Sequence, residues 1–343
     1  METAELGVTR SGLGGGPRIT ACICTHNRPD YLRDCLDGLA AQDVGPGGFD
    51  ILVIDSGSSP DLAACIAALV AATPQAKLLR VERPGLSLAR NMAARAVKIG
   101  FIAYLDDDAI PAVDWIASIR AAIGATNDPP AMIGGAIRPL WEAPLPGWWP
   151  ASLVGVLSII EAEGMGAYRQ AGVAQALEPY GANMIIHVPD LLAAGGFIET
   201  IGRVGKTLLS DEEKVLAWHL QDTGHSVRYD SRIVVHHQIQ AERLTVGWLL
   251  SRLYWQGMSR VRSARRITPQ AGLVGEAARR VLVFLMLAPV AMLPPSSVWL
   301  IGLRWRWCYA YGFLRAFLTD RPEPDGVLAS HRSAHDEAAR VTV

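Results

Sequence analysis

Short apolar runs alternate with segments of helical periodicity through the first third of the chain. A short apolar run at residues 19–25 is typical of a buried parallel strand, and further strands are predicted at 50–55, 76–81 and 101–105. The segments between them predict helices. The first follows a turn at 26–30, where Asp30 is expected to cap it, and the others cover 61–72 and 87–99. This order predicts a parallel sheet with right-handed crossovers.

The middle of the chain is less regular. Residues 129–176 are rich in Gly, Pro and Trp and favour no single element. Helices are predicted at 189–194 and 210–221, and a late strand at 233–235.

The pattern changes after Thr245. Residues 249–266 combine apolar side chains with repeated Arg, which fits an amphipathic helix on anionic lipid or a helix packed on the protein with an exposed Arg face. Residues 281–303 then carry no formal charge. That run is long enough to span a bilayer, but Pro289, Pro294 and Pro295 would break it into two short pieces. Arg and aromatic residues typical of a headgroup interface follow at 304–311.

Charge is unevenly distributed along the chain. The net charge is −1, yet residues 241–321 contain twelve Arg and three acidic residues, while residues 322–343 are net negative. The first 240 residues are therefore acidic. A basic, apolar region on an acidic body predicts a membrane surface as partner, and no nucleic acid.

Cysteine usage and the N-terminus bear on location. The five cysteines are an odd number, and Cys22 and Cys24 lie too close on one strand for a disulfide, so reduced thiols are expected. Residues 1–17 have no apolar segment of the secretory type and are expected to be a disordered leader. Together these features predict a protein on the cytoplasmic face of the cell membrane, held peripherally, by a re-entrant element or by a single span.

The acidic cluster Asp106-Asp107-Asp108 carries the most chemical information. It directly follows a hydrophobic strand, where three neighbouring carboxylates are costly unless a cation joins them. A divalent cation suits carboxylate oxygens and can bridge them to phosphate. Strand alternation predicts Asp106 and Asp108 on one side and Asp107 on the other. A solvated acidic turn is the alternative.

With its flanking segments, the chain resembles family-2 glycosyltransferases of the A-type fold over residues 19–238. The motifs that carry the resemblance are Cys24-Thr25-His26-Asn27-Arg28; Val53-Ile54-Asp55-Ser56-Gly57-Ser58; Gly85-Leu86-Ser87-Leu88-Ala89-Arg90-Asn91 with Tyr104-Leu105-Asp106-Asp107-Asp108; and Gly181-Ala182-Asn183-Met184 with Gly195-Gly196-Phe197. The resemblance implies an α/β nucleotide-diphospho-sugar transferase fold, with a mostly parallel central sheet flanked by helices and a C-terminal helical membrane-associating region.

Domain boundaries follow from the same resemblance. A catalytic domain is expected at 18–240, with a nucleotide-sugar half at 18–112 and an acceptor half at 113–240. The basic, apolar helical region then covers 241–321, and a flexible tail covers 322–343.

The resemblance also implies the donor site. Thr25, Asn27, Arg28 and Asp55 are expected to line the base and ribose pocket, although Asp55 also suits a turn-capping residue. Arg90 is expected near the phosphates or the acidic cluster, with an exposed helix arginine as the alternative. Asp106 and Asp107 are assigned to the donor. Asp108 is assigned to the metal, with His237 preferred over His236 as a further ligand.

The base is expected in the segment Asp211-Glu212-Glu213, with Glu213 in the base position. This segment departs from the family pattern, because Asp211 replaces a glycine, and an ordinary acidic helix start is the alternative. Gly181, Asn183 and Trp148 are assigned to the acceptor, whereas core packing is the alternative for Trp148 and Trp149.

The sequence therefore predicts an inverting glycosyltransferase of cell-envelope polysaccharide synthesis. It would use Mg²⁺ or Mn²⁺ and a nucleotide sugar, a UDP-sugar by default, and transfer the sugar to a glycan or lipid-linked acceptor with a carboxylate base. A nucleotidyltransferase or a non-catalytic carbohydrate- or lipid-binding relative are the alternatives. The turn at 25–29 lacks the glycines that the former would need.

Overall fold

The computed structural model of this chain describes residues 17–44, 48–126, 128–168, 178–205, 207–267, 270–291, 293 and 297–320. Apart from Pro17, the predicted leader lies outside these residues, as does the predicted tail at 322–343. The chain forms two compact units. The first comprises residues 1–140, 158–192 and 224–238, and the second comprises 141–157, 193–223 and 239–343. The predicted acceptor half, 113–240, is therefore divided between them.

The first unit is built on one sheet, to which the described residues contribute nine strands. They are β1 (Ile19–Thr25), β2 (Asp50–Ser56), β3 (Ala76–Val81), β4 (Phe101–Asp106), β5 (Ala109–Pro111), β6 (Met132–Trp141), β7 (Met165–Ala167), β8 (Met184–His187) and β9 (Val227–Ile239). Their order is β3-β2-β1-β4-β8-β6-β9-β5, and β7 pairs with β9.

The sheet is mixed. Strands β1 to β4 run parallel, as the sequence predicts. Beyond β4 the strands pair in antiparallel fashion, as in β4–β8, β6–β8, β5–β9 and β7–β9. The expectation of an α/β sheet flanked by helices is confirmed, while its parallel part is confined to the four strands of the nucleotide-sugar half.

Five helices accompany the sheet: α1 (Pro29–Ala40), α2 (Pro60–Ala72), α3 (Leu86–Val97), α4 (Trp115–Gly124) and α5 (Val188–Ala193). Apolar side chains of α1 and α4, such as Leu32, Leu36 and Trp115, join those of β1, β2 and β4 in one buried core. Such burial is the main stabilising contribution to a layered α/β unit.

Helix α1 begins two residues earlier than expected. Its first residue is Pro29, and Arg28 is the N-cap without a side-chain capping bond. Proline is favoured at the first helical position because its missing N–H is not needed there. Asp30 therefore lies inside the first turn, and its predicted capping role is wrong.

Among the described residues, the second unit contains four helices: α6 (Glu212–Asp222), α7 (Val246–Ile267), α8 (Gln270–Ala291) and α9 (Val298–Thr319). Two short 3₁₀ segments, Ala151–Leu157 and Ala241–Leu244, complete its regular structure among the described residues.

Helix α7 is the buried helix of this unit. Leu249, Leu253 and Val261 are buried along it, and it packs against α9. Its arginines turn to protein partners: Arg252 donates to the carbonyl oxygen of Leu208 at 3.0 Å, and Arg262 donates to Asp320 at 2.6 Å. The prediction that 249–266 lies on lipid is wrong, because the same apolar-and-Arg pattern is used inside a helical bundle.

Two glycines set the approach of α7 and α9. A Cβ atom at Gly257 would overlap the carbonyl oxygen of Tyr309, and one at Gly312 would overlap the carbonyl oxygen of Tyr254. Each helix thus presents a glycine to the backbone of the other.

The apolar run 281–303 is divided between α8 and α9. Of the two alternatives considered from sequence, one long span or two shorter pieces, the structure shows two pieces. Pro289 remains inside α8, and Pro294 and Pro295 lie outside the described residues. Within the described part of the chain, no helix combines the length and the apolarity needed to cross a bilayer.

Candidate active site

The loops after β1 and β2 are joined to each other at the carboxyl edge of the parallel strands, where open α/β sheets bind ligands. Nδ1 of His26 lies 2.8 Å from the carbonyl oxygen of Ser56. The backbone N–H of Asn27 donates to the Ser58 hydroxyl at 2.8 Å, and the N–H of Ser59 donates to Oδ1 of Asn27 at 2.8 Å. Asn27 has a φ of +58°, a conformation that asparagine tolerates better than most residues. The predicted donor residue Asn27 thus fixes one loop against the other.

Arg28 joins two of the three clustered aspartates. Its guanidinium donates to Asp107 at 2.6 Å and to Asp108 at 2.8 Å, and it lies 4.4 Å from the centre of the Tyr31 ring. Asp107 and Asp108 are buried together, whereas Asp106 is partly exposed. The predicted alternation is wrong, because β4 ends at Asp106 and the next two residues form a turn. Arg28, assigned from sequence to the base and ribose pocket, is therefore in direct contact with the acids.

Thr25 also contacts this cluster, with its hydroxyl donating to Asp107 at 2.8 Å. Burial raises the pKa of Asp107 to about 7, although Arg28 and the Thr25 hydrogen bond oppose the rise. Burial would lower the pKa of Arg28, but the charges of Asp107 and Asp108 outweigh it and raise that pKa above its ordinary value. Desolvation thus prevails at Asp107, which is nearly enclosed, while Arg28 keeps some contact with solvent.

Arg90 lies beside the remaining aspartate. Its guanidinium is 3.6 Å from Asp106, and the residue is only 2% exposed, so the alternative of a surface helix arginine is excluded. The Tyr104 hydroxyl donates to its carbonyl oxygen at 2.9 Å. Gly181 provides the space for Arg90, because a Cβ atom there would overlap the guanidinium. Gly181, assigned from sequence to the acceptor, thus contacts the donor-side arginine.

His237 reaches the cluster through the pairing of β5 with β9, which sets Ala109 opposite His237. Its Nε2 lies 3.3 Å from Asp108, and both side chains are buried. The N–H of Gln238 donates to the Asp108 carbonyl oxygen at 2.8 Å. Of the two candidate histidines, the preferred one is therefore in contact with the predicted metal ligand.

Asp55 is held from two sides. Its Oδ1 accepts from the N–H of Ser58 at 3.0 Å, which is the turn-capping contact considered from sequence, and its Oδ2 pairs with Arg80. Arg80 also donates to the Ser58 carbonyl oxygen at 2.9 Å. Sequence analysis missed Arg80. Its signal was available only through strand register, since β2 and β3 pair Asp55 with Arg80.

Asn183 does not serve the acceptor role predicted for it. The residue is fully buried, its Oδ1 accepts from Nε1 of Trp115 at 3.0 Å, and its Nδ2 donates to the carbonyl oxygens of Ala136 and Ile233 at 2.9 and 2.8 Å. Its side-chain amide therefore ties β6 and β9 to α4. In the second unit, Trp148 is half-buried with its ring centre 5.4 Å from that of buried Trp149, a packing contact.

The acidic segment expected to supply the base belongs to the second unit and starts α6. Asp211 has a φ of +84°, a conformation that favours glycine and that aspartate adopts more readily than most residues. This explains why the family glycine can be replaced by an aspartate here. Its Oδ2 accepts from the Ser263 hydroxyl at 3.4 Å. Glu212 is buried, and Glu213 is half-buried with an Oε2 atom that accepts no hydrogen bond from the described residues.

The first unit therefore gathers three carboxylates, two arginines, a threonine and a histidine at one edge of its sheet. No group of three or more His, Cys, Asp and Glu side chains in the described residues is arranged to hold a metal ion by itself. The arrangement suits an anionic ligand that meets the arginines together with a cation that meets the acids.

Comparison with known proteins finds similarity to glycosyltransferases. Residues 20–138 match the model of glycosyl transferase family 2. The glucosyl-dolichyl phosphate glucuronosyltransferase of Haloferax volcanii is 24% identical over 74% of this chain and 79% of its own length. The succinoglycan biosynthesis protein ExoM of Rhizobium meliloti is 24% identical over 69% of this chain and 72% of its own length.

Solved structures share the fold. The mannosyltransferase PcManGT of Pyrobaculum calidifontis, in complex with GDP-Man and Mn²⁺, superposes with a TM-score of 0.55 at 16% identity and covers 90% of this chain and 89% of its own. TarS of S. aureus, in complex with UDP, gives a TM-score of 0.51 at 14% identity, covering 89% and 92%. The match of residues 20–138 to the family model and the named relatives support a family-2 glycosyltransferase, and the solved structures share its fold.

Proposed function

We infer that this enzyme transfers a sugar from a nucleoside-diphosphate sugar to a glycan or lipid-linked acceptor, with inversion at the anomeric carbon. The observation that carries this proposal is the contact of Arg28 with Asp107 and Asp108, beside His237. The Arg28 guanidinium bridges these two acids, so the site can hold a positive charge between them. A diphosphate bound at this edge would bring the negative charge that Arg28 and Arg90 can meet.

The donor assignment is supported by the site and by the neighbours. The joined loops after β1 and β2, with Asn27 and Asp55, form the floor proposed for the nucleoside. PcManGT is described with GDP-Man and TarS with UDP. A UDP-sugar remains the default donor for this chain, and the identity of the base would be decided by the surroundings of Asp55 and Arg80.

The residues present fit a divalent cation bound together with the donor. Asp108 offers a carboxylate and His237 an imidazole, with the facing atoms 3.3 Å apart. Mg²⁺ is commonly held by one or two protein ligands plus phosphate oxygens and water, and Mn²⁺ accepts the same hard ligands. PcManGT is described with Mn²⁺. When bound, the ion would supply positive charge for the departing diphosphate.

The chain's own groups have separate tasks in this proposal. Arg28 neutralises Asp107 and Asp108 before the ligands arrive, and Arg90 orients Asp106 for a ribose hydroxyl. Glu213 removes the proton from the acceptor hydroxyl as it attacks, with Glu212 as the second candidate. The acidic start of α6 was assigned to this role by resemblance. The half-buried Glu213 oxygen supports the choice.

A lipid-linked acceptor and a cytoplasmic membrane surface complete the proposal. The Haloferax relative is named for glucosyl-dolichyl phosphate, and the Rhizobium relative for succinoglycan biosynthesis. Both names concern glycan assembly, and the first concerns a lipid-linked glycan.

The test is a panel of nucleotide sugars with Mn²⁺ or Mg²⁺, scored by thermal stabilisation and by release of the nucleotide. The donor should raise the melting temperature only when the metal is present, by an amount equivalent to about 3 kcal/mol at a hundredfold excess over its Kd. Asp108→Asn should lose both the metal-dependent shift and turnover. Asp30→Asn, which changes an exposed aspartate of α1, is the control. Full metal-dependent activity in Asp108→Asn would refute the metal role.

A further inference from the structure

Exposed large apolar side chains occur on α8 and at the start of α9 in the second unit. We define six of them as the apolar face: Val281, Leu282, Leu285, Met286, Val298 and Trp299. All six are exposed, and Trp299 is 69% exposed. Soluble proteins rarely leave so many large apolar side chains together in water, so such a surface indicates a partner.

The spacing of these residues shows that the surface is one side of a helix rather than a scatter. The four α8 residues recur at positions i, i+1, i+4 and i+5, which follow one helical face. The opposite side of α8 is used for packing: Leu273 and Ala277 are buried, and the Phe284 ring stacks on that of Trp307 with centres 5.1 Å apart. Helix α8 therefore has one face that packs against the protein and another face whose apolar side chains are exposed.

The face is held together at the end where α8 and α9 meet. Arg304 donates to the carbonyl oxygen of Leu293 at 2.9 Å, and the Ser297 hydroxyl accepts from the N–H of Leu300 at 3.2 Å to cap α9. These contacts fix the start of α9, so Val298 and Trp299 are presented next to the end of α8.

Positive charge lies beside the apolar face. Arg279 and Arg306 are exposed, and with Arg304 they pair with no carboxylate among the described residues. The two acids of these helices are already taken, Glu276 by Arg260 and Arg280 and Asp320 by Arg262. Arg306 also lies 4.6 Å from the ring centre of Trp305. Arginine and tryptophan beside an apolar stripe are what a headgroup boundary favours.

We propose that the apolar face enters the surface layer of an anionic lipid bilayer and that Arg279, Arg304 and Arg306 contact the lipid phosphates. A second copy of the chain is a poorer occupant, because a symmetric contact would bring the same unpaired arginines against each other. The proposal deepens the proposed function by giving the enzyme a membrane-docking element. It narrows the membrane-associating region expected from sequence at 241–321 to α8 and α9.

The test measures membrane binding without turnover, so its failure is distinguishable from failure of the transfer reaction. The full chain is sedimented with vesicles of phosphatidylcholine alone and with vesicles that also contain phosphatidylglycerol. Binding should be strong only with the anionic lipid, and it should fall as salt is raised.

Matched variants separate the face from the rest of the unit. The double change Leu285→Glu with Met286→Glu should reduce vesicle binding about tenfold or more, because charge is placed in the apolar layer. Leu318→Glu makes the same change at a leucine of α9 that is 80% exposed and lies outside the face, and it should bind like the wild type. Equal melting temperatures for the variants and the wild type would show that folding is unaffected.

A second pair tests the charge. Arg306→Glu should weaken binding to the anionic vesicles, while Arg33→Glu on α1 should not. The proposal is overturned if the wild type binds neither kind of vesicle. It is equally overturned if the double glutamate variant binds vesicles as the wild type does. It is also overturned if the wild type is a dimer that does not bind vesicles and the double change converts it to a monomer.

Discussion

The guanidinium of Arg90 occupies the space that a side chain at Gly181 would need, so the two residues are matched across 91 positions of sequence. Gly181→Ala should displace Arg90 from Asp106. We expect a loss of about 1–3 kcal/mol of unfolding free energy from overpacking, together with weaker donor binding. Calorimetric donor titration and urea unfolding would measure the two effects.

The control for this change is Gly124→Ala on α4, where an added Cβ meets no atom within 4 Å. It should leave donor affinity unchanged and stabilise its helix slightly. If Gly181→Ala binds donor with wild-type affinity, Arg90 has no part in the donor site.

The raised pKa of Asp107 predicts a specific pH dependence of stability. The folded protein keeps a proton on this group up to about pH 7, whereas the unfolded chain releases it near the ordinary value of 3.8. The stabilising contribution is therefore complete below that value and is lost as the pH rises to 7. Asp107→Asn has no proton to lose, and Arg28 would still pair with Asp108.

The measurement is urea unfolding of wild type and Asp107→Asn from pH 4 to pH 8. The difference in stability should grow in favour of the variant by roughly 2–4 kcal/mol over this range and level off above pH 7. Asp30→Asn, at an exposed carboxylate, should show no such trend. A difference that is constant with pH would mean that Asp107 is ionised throughout.

The acidic start of α6 gives a prediction about catalysis. Glu213→Gln removes the proposed base and should lower kcat by about two orders of magnitude or more, with the donor Kd unchanged. Glu212→Gln is the comparison, since Glu212 is buried. If the large loss of kcat follows Glu212→Gln instead, the assignment is displaced by one residue.

The crossing of α7 and α9 predicts opposite effects for two glycine changes in the second unit. Gly312→Ala would place a Cβ against the backbone of Tyr254 and should destabilise the unit by about 1–3 kcal/mol or more. Gly275→Ala, on α8, meets no atom within 4 Å and should stabilise by up to about 1 kcal/mol. Thermal unfolding of both variants checks the sign; a neutral Gly312→Ala would mean that the helices can move apart.

The parallel half of the sheet was readable from sequence because its strands are short, largely apolar segments that alternate with segments of helical periodicity. The prediction that Asp106 and Asp108 lie on one side of the strand and Asp107 on the other was wrong, because β4 ends at Asp106. Alternation applies only while the chain is extended, and the turn at Asp107 and Asp108 brings both to Arg28. Arg80 was missed for a related reason, since its contact with Asp55 depends on how two strands align rather than on any local pattern.

Burial of polar groups was the other source of error. Asn183 lies in a motif of the family, yet its amide is used entirely to satisfy Trp115 and two backbone carbonyls. An apolar helix with regular Arg, as in α7, has the same pattern whether the arginines meet lipid phosphates or backbone carbonyl oxygens. Only the positions of the partners distinguish these cases.

The pairing of Ala109 with His237 has a consequence for how the protein is made. The aspartates leave the ribosome about 130 residues before the histidine that contacts Asp108, while β1 to β4 can already associate. Closing that long loop is slow and comes late. A nascent or truncated chain that stops before β9 would hold Asp108 without His237, so a protein cut short there is expected to lack the proposed metal pair.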